Sequence, residues 1–179
     1  TDGHVTIPST WTSIGDNAFS YCKSLQSVTV NNSVTSIGGY AFYSCSALQS
    51  VTIPDSVTSI GNSAFSSCSA LQSVTIGDSV TSIGSYAFRS CSTLQNVTIG
   101  HSESILIGDF AFRDCGSLVS VTFGTTSKVA IDAGAFDGCD KLAHMDFTKS
   151  MTSLSGSLPD QLARNYHCSE DSEGEWCGC

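Results

Sequence analysis

Two residue types recur along this chain at a nearly constant interval. The successive intervals are 23, 23, 23, 24 and 24 residues in both series. A period in this range is typical of a solenoid, in which each repeat buries its apolar face only by stacking on its neighbours. The sequence therefore predicts a solenoid of about six repeats. The two series are Cys22, Cys45, Cys68, Cys91, Cys115 and Cys139, and Phe19, Phe42, Phe65, Phe88, Phe112 and Phe136.

Each repeat contains one segment with the pattern of a strand. In residues 45–67, Leu48, Val51 and Ile53 have the spacing Leu-x-x-Leu-x-Leu that is typical of a leucine-rich repeat strand. Successive side chains of a strand point to opposite faces, so Val51 and Ile53 turn inward while Ser50 and Thr52 turn outward. The rest of the repeat supplies Val, Ile, Ala and Phe to the same core.

The repeat resembles that of the BspA-like, or Treponema-type, leucine-rich repeat family. The family repeat runs Leu-x-x-(Val/Ile)-x-(Ile/Leu)-Pro-x-x-(Val/Leu)-x-x-Ile-Gly-x-x-Ala-Phe-x-x-Cys, and the match covers residues 4 to about 147. Pro8 and Pro54 lie where the family often has proline after the strand. The resemblance implies a right-handed coil with parallel strands on one face and few helices. It also implies a binding role, as in cell-surface adhesion proteins, because leucine-rich repeats are rarely enzymes.

The repeats divide the chain into three predicted parts. Residues 1–21 form a partial repeat and N-terminal cap, residues 22–147 form the array, and residues 148–179 form a C-terminal cap with an acidic, cysteine-containing tail. Terminal repeats must cover the core, so we assign that role to Trp11 and to a short helix over residues 158–166.

Charge is scarce and mostly acidic. Charged residues make up 13% of the chain, and the net charge is −9. The clustered Lys and Arg that would bind nucleic acid or anionic lipid are absent, and no apolar run has the length of a membrane span. No nucleophile, acid–base pair or phosphate-binding loop is recognisable. We therefore expect a non-catalytic protein without a cofactor or a metal site.

The columnar cysteines and the last three cysteines require different interpretations. A column that repeats about every 4.8 Å presents parallel thiols and not converging metal ligands. We interpret it as a column of small buried residues whose S–H groups donate to backbone carbonyls at the bend before each strand. The polar tail could bury its cysteines only in a disulfide, formed within the tail or with Cys139. These tail cysteines are Cys168, Cys177 and Cys179.

Three further features bear on the compartment. A disulfide would favour an oxidising one, extracellular or at the cell surface, and so would the glycosylation sequons at Asn31 and Asn96. The chain starts at Thr1 without a signal-like segment, so we expect a processed or trimmed product.

The outward residues of the strands form two predicted columns of hydroxyl groups. Neighbours within a column would lie about 4.8 Å apart in a parallel sheet. One column is His4, Ser27, Ser50, Ser73, Asn96, Ser120 and His144. The other is Thr6, Thr29, Thr52, Thr75, Thr98, Thr122 and Asp146.

This surface supports two functional hypotheses. In the first, the strip and its flanking loops dock a protein or a glycan, either as a surface adhesin or as a subunit of a larger assembly. In the second, the threonine lattice adsorbs to ice. A further column, which stops where Ile105 and Val129 replace threonine, adds to the second hypothesis: Thr12, Thr35, Thr58 and Thr81. Recent duplication alone could also copy every threonine, which is a good strand residue.

Residues that vary between repeats are the best candidates for a specific partner. Tyrosines appear in some repeats only, and repeats five and six depart most from the consensus by carrying charge. Tyrosine and arginine are enriched in binding hot spots. The resulting candidates are Tyr40, Tyr86, Arg113 and Lys128.

Overall fold

The structure of this protein is a computed structural model that describes residues 3–147, 153–156 and 175–176. It confirms a solenoid of parallel strands, and the described residues contain no helix. In chain order the strands are β1 (His4–Thr6), β2 (Ser13–Ile14), β3 (Ser27–Thr29), β4 (Ser36–Ile37), β5 (Ser50–Ile53), β6 (Ser59–Ile60), β7 (Ser73–Ile76), β8 (Ser82–Ile83), β9 (Asn96–Ile99), β10 (Ser104–Ile107), β11 (Ser120–Phe123), β12 (Lys128–Ile131), β13 (His144–Asp146), β14 (Ser153–Gly156) and β15 (Glu175–Trp176).

The odd-numbered strands from β1 to β13 form a seven-stranded parallel sheet in sequence order. Their register joins equivalent residues of successive repeats, for example Val51 to Val74 and Thr52 to Thr75. These are the predicted strands on one face of the coil, and β13 confirms the predicted seventh strand. Because the register never slips, every core position of one coil lies beside the same position of the next.

A second sheet, which the sequence did not predict, covers another side of the coil. It contains the even-numbered strands from β2 to β14, with β15 added antiparallel at the β14 edge. Up to β8 these strands are Ser-Ile dipeptides, and backbone bonds such as Thr58 N–H to the Thr35 carbonyl (2.9 Å) extend the pairing. A two-residue strand is too short to show an alternating pattern, which explains why it escaped prediction.

The core is a set of parallel columns of apolar side chains. The phenylalanines stack face to face, with ring centroids 5.0 Å apart for Phe42 and Phe65 and 5.2 Å apart for Phe65 and Phe88. The planes of these pairs differ by only 6° and 2°. Each such pair contributes about 0.5–1.5 kcal/mol beyond the burial of its area. The stack thus sets the step from one coil to the next at about 5 Å.

The cysteine column has the predicted structural role. The Cys45 thiol donates to the Phe19 carbonyl at 3.1 Å, and the Cys68 thiol donates to the Phe42 carbonyl at 3.2 Å. Each acceptor lies one coil back along the chain, so the thiols join neighbouring coils. Burial raises the pKa of the Cys45 thiol from its ordinary 9.0 to about 11, and it also raises the pKa of Cys68. The buried thiols therefore stay protonated and unreactive at neutral pH.

Each coil closes through a turn with two residues in the left-handed region. The first precedes the Ala-Phe pair and the second precedes the cysteine, and most of these residues are not glycine. Such a conformation costs an ordinary residue about 1–2 kcal/mol. Hydrogen bonds to the next coil hold it in place, such as Ser63 N–H to the Ser85 carbonyl at 2.9 Å. The residues are Asn17, Tyr40, Ser63, Tyr86, Phe110 and Gly134 at the first position, and Tyr21, Ser44, Ser67, Ser90, Asp114 and Gly138 at the second.

The two ends differ in how fully they are described. At the N-terminal end, Trp11 is 42% exposed, whereas Val34, which takes the same place in the next coil, is fully buried. Residues 3–21 therefore cover the end of the core less completely than a full coil would. The helix predicted over residues 158–166 and most of the predicted C-terminal cap lie outside the described residues. No helix capable of spanning a bilayer occurs in the described ranges.

Candidate functional site

The outward residues of the seven-stranded sheet form the predicted surface, here called the strand face. The register places Thr52, Thr75, Thr98 and Thr122 side by side in adjacent strands, and all four are exposed. Their hydroxyls make no hydrogen bond to any described residue. They are therefore free to donate and accept in a contact with a partner.

The neighbouring serine column lies in the same strands, one side chain removed from the threonines. Ser50, Ser73 and Asn96 are exposed, whereas Ser27 and Ser120 are half-buried. Ser120 donates its hydroxyl to the Asn96 side-chain oxygen at 2.9 Å.

The His4 side chain ends this column at the N-terminal edge. Its Nδ1 lies 2.7 Å from the hydroxyl of Ser27, and its Nε2 lies 3.2 Å from that of Thr6 and 3.4 Å from that of Thr29. The imidazole thus engages Thr29, unlike the free threonines of the inner coils.

A groove runs along the edge of the strand face where the strands end, here called the strand groove. It has a volume of about 630 Å³ and crosses four coils, with Thr29, Thr52, Thr75 and Thr98 lining one side. The other side carries polar groups of the bends: Asn32, Asp55 and Asp78.

The carboxylates of the groove are held in fixed positions. Asp55 Oδ1 accepts a hydrogen bond from Asp78 N–H at 3.0 Å, and Asp78 Oδ1 accepts one from His101 N–H at 2.9 Å. Sequence reasoning missed these two residues because Asp is a common residue of turns. The signal that could have found them is the recurrence of Asp two positions after the strand in consecutive repeats.

The second threonine column has a structural role that the ice hypothesis did not anticipate. The hydroxyls of Thr35, Thr58 and Thr81 donate to the carbonyls of the threonines one coil back, at 3.0, 3.1 and 3.3 Å. Ile105 and Val129 are buried, so the column ends at Thr81 as expected. Because these hydroxyls already donate to the backbone, the column no longer adds to the case for ice adsorption.

Two of the predicted partner contacts, Tyr86 and Arg113, meet in one cluster through a residue that was not singled out. The Tyr86 ring stacks on Phe110 with centroids 5.3 Å apart, and the Arg113 guanidinium lies 5.1 Å from the Phe110 centroid. Arg89 lies over Tyr86 at 5.8 Å, and Asp114 Oδ2 lies 3.7 Å from Nε of both arginines. The cluster became visible only with the left-handed turn that orients these side chains.

The other two predicted contacts lie elsewhere. Tyr40 is 46% exposed and packs edge to face on Tyr43, with centroids 5.6 Å apart. Lys128 lies in β12 of the second sheet, where it lines a shallow groove with Thr81 and the exposed Leu106. The four candidates thus do not form a single site.

The two sequons differ in accessibility. The Asn31 side chain is half-buried, and its amide nitrogen donates to the carbonyls of Ile7 (3.0 Å) and Pro8 (2.8 Å). Asn96 is exposed on the strand face. A glycan on Asn31 would disrupt two bonds between coils, whereas a glycan on Asn96 would cover the strand face.

Neither the disulfide nor a metal site gains support from the described residues. Cys168, Cys177 and Cys179 lie outside them. Within residues 3–147, 153–156 and 175–176, no group of three or more His, Cys, Asp or Glu side chains converges in the manner of metal ligands.

Sequence comparison identifies the repeat. A family model described as BspA type leucine rich repeat region matches in six copies, over residues 3–107 and 70–158. The chain belongs to the BspA-type leucine-rich repeat family. Comparison with curated protein sequences gives no match.

Solved structures of bacterial leucine-rich repeat proteins share this fold. A leucine-rich repeat protein from Eubacterium ventriosum is 31% identical with a TM-score of 0.79, and the match covers 98% of this chain and 48% of that protein. The Treponema pallidum leucine-rich repeat protein is 28% identical with a TM-score of 0.68, covering 92% and 68%. One from Bacteroides ovatus is 26% identical with a TM-score of 0.65, covering 87% and 45%. This BspA-type chain thus spans about half the length of the Eubacterium protein.

Proposed function

We propose that this chain is a non-catalytic binding protein that docks an extended segment of a protein partner along the strand groove. The observation that carries the proposal is the row of free threonine hydroxyls along a groove of about 630 Å³. Four coils at steps of about 5 Å give the row a length of about 15 Å, which an extended segment of about five residues would cover.

The groove has the polarity expected for a polypeptide. Its free hydroxyls can bond the N–H and carbonyl groups of an extended backbone. Asp55 and Asp78, already oriented by the next coil, would receive a Lys or Arg side chain of the partner. No Lys or Arg lines the groove within the described residues, so nothing there opposes a basic segment. A glycan is a weaker candidate, because the groove lining includes no aromatic side chain on which a sugar ring could stack.

An extracellular or cell-surface location fits this role. The family resemblance favours it, and the buried thiols support it. A thiol oxidises through its thiolate, and burial keeps the pKa of Cys45 and Cys68 high. The cysteine column would therefore survive in an oxidising compartment.

The test uses one variant on the strand face and one matched control. Thr75→Tyr fills the middle of the groove, and Ser92→Tyr adds the same side chain at an exposed turn. Short random peptides are selected by display on the wild-type protein, and the enriched peptides are titrated against all three proteins by calorimetry. We expect enriched peptides to be rich in Lys and Arg. They should bind Ser92→Tyr normally and Thr75→Tyr at least about tenfold more weakly.

Two outcomes would contradict the proposal. One is the absence of any enriched peptide, and the other is a set of peptides that bind Thr75→Tyr as tightly as wild type. The ice hypothesis is tested on the same three proteins with a recrystallisation assay. Inhibition by wild type and by Ser92→Tyr, with loss in Thr75→Tyr, would replace peptide docking with ice adsorption.

A further inference from the structure

The third coil lacks a ring that the coils around it carry. The left-handed residue before Ala-Phe is Tyr40, Ser63, Tyr86 and Phe110 in four successive coils. All four take the same backbone hydrogen bond to the next coil, so their side chains lie in register. Where two successive coils both carry a ring, at Tyr86 and Phe110, the rings stack with centroids 5.3 Å apart. Ser63 therefore leaves a gap in an aromatic column.

The position three residues later repeats this arrangement. Ser66 lies between Tyr43 in the coil before it and Arg89 in the coil after it. Tyr43 packs on Tyr40, and the Arg89 guanidinium lies 5.8 Å from the Tyr86 centroid. Two serines thus form the floor of a depression whose walls are aromatic side chains and an arginine. We name it the Ser63 notch, and its residues are Tyr40, Tyr43, Ser63, Ser66, Tyr86 and Arg89.

The floor of the notch carries polar groups without a partner. Ser63 is 7% exposed and Ser66 is 5% exposed. Neither hydroxyl makes a hydrogen bond to a described residue. A buried hydroxyl that lacks a hydrogen bond is unfavourable, so a ligand that bonded these groups would gain free energy.

The width of the notch fits one flat ring. Tyr40 and Tyr86 lie two coils apart, or about 10 Å by the steps of the phenylalanine stack. A ring midway would lie about 5 Å from each wall, within the range of stacked aromatic pairs. A puckered sugar ring is thicker than an aromatic one and would fit less well.

We propose that the Ser63 notch binds a tyrosine side chain presented by a partner protein. The phenol ring would complete the column between Tyr40 and Tyr86, and its hydroxyl would bond Ser63 or Ser66 on the floor. The guanidinium of Arg89 lies at the rim, where it can bond a backbone carbonyl of the partner. This surface lies in the turns of the second to fourth coils and is separate from the strand groove.

The test uses N-acetyl-tyrosinamide as the probe and two matched variants. Ser63→Tyr fills the notch with a ring of the chain itself, at a backbone position that already accepts tyrosine in the coils before and after it. Asn17→Tyr places the same side chain at the equivalent left-handed position of the first coil, outside the notch. Backbone amide shifts of isotope-labelled protein are followed by NMR during titration, and thermal unfolding shows that each variant is folded.

The expected result is saturable shifts at Ser63, Ser66, Tyr40 and Tyr86 in the wild type. Affinity should fall at least about tenfold in Ser63→Tyr and change less than about twofold in Asn17→Tyr. Should Ser63→Tyr fail to fold, Tyr86→Ser removes one wall instead and should weaken binding about fivefold.

Three results would overturn the proposal. The first is the absence of saturable shifts in the wild type, and the second is equal binding by Ser63→Tyr. The third comes from two further probes, N-acetyl-cyclohexylalaninamide and methyl glucoside. Tighter binding of the first probe would make the notch a general apolar patch, and tighter binding of the second would make it a sugar site. Because the notch and the strand groove are distinct, failure here leaves the peptide test of the groove unaffected.

Discussion

The thiol of Cys68 donates a hydrogen bond to the carbonyl oxygen of Phe42, 26 residues earlier in the chain and one coil away in space. Both groups are fully buried, so no water replaces the thiol if it is removed. The cysteine column is therefore a series of bonds between coils and not a reserve of reactive thiols.

Replacing one of these cysteines should destabilise the solenoid. Cys68→Ala leaves the Phe42 carbonyl without its bond and opens a small cavity, so the free energy of unfolding should fall by about 1–3 kcal/mol. Urea denaturation measures the change. The control is Cys22→Ala, because Cys22 is exposed. Equal losses in the two variants would contradict the assigned role.

Thiol reactivity should follow burial. At pH 8, maleimide labelling followed by peptide mapping should modify Cys22 in the native protein and leave Cys45 and Cys68 unmodified until the chain unfolds. Rapid native labelling at Cys68 would show that the coils open more readily than their packing implies.

Stability should decrease at alkaline pH. Burial raises the pKa of Cys45 from 9.0 to about 11, so the folded state keeps a proton that the unfolded state loses. This contribution is complete below pH 9 and is lost as the pH rises from about 9 to about 11. Urea midpoints measured across this range should fall in the wild type. The fall should be smaller in Cys45→Ala, and an identical slope in the two proteins would refute the linkage.

Close approach between coils predicts a strict requirement for one glycine. A Cβ at Gly61 would lie 2.6 Å from backbone atoms of Gly38 and Gly39. Gly61→Ala must therefore separate two coils, and it should destabilise the protein by about 1–3 kcal/mol. Gly15 takes the same place in the first coil, where a Cβ meets no atom within 4 Å. Thermal unfolding should thus show a lower midpoint for Gly61→Ala and almost no change for Gly15→Ala.

Relieving a left-handed residue should have the opposite effect. Ser44 has φ 56°, a conformation that glycine adopts without strain. Ser44→Gly should raise the free energy of unfolding by about 0.5–1 kcal/mol, because the strain removed exceeds the added freedom of the unfolded chain. Ser46→Gly is the control, since Ser46 is not among the left-handed residues and should gain nothing. A loss of stability in Ser44→Gly would show that its side chain contributes more than its backbone strain costs.

The sequence predicted the parts of the fold that depend on long-range periodicity. Cys68, Phe65 and Val74 repeat because each is buried against its own counterparts, and a period of 23 residues reveals such columns directly. The second sheet escaped because a Ser-Ile dipeptide carries no detectable alternation.

The candidate site was less accessible to prediction. The threonine column followed from strand alternation, but the carboxylates beside it resemble ordinary turn residues. The contact between Tyr86 and Arg113 depends on Phe110 and on a left-handed turn that no sequence pattern specified. The Ser63 notch is defined by a missing ring, which is visible only when neighbouring coils are compared in space.

The uniform step of the phenylalanine stack also bears on how such a chain can change during evolution. Every coil presents the same ring, thiol and backbone groups to the next, so recombination that removes or adds one whole repeat rejoins surfaces that already fit. Array length can therefore vary in units of one repeat with little penalty in folding. The Ser63 notch follows a different rule, because it needs a small residue between two aromatic ones in a fixed order. Recombination that preserves the fold can thus create or erase the notch in one event.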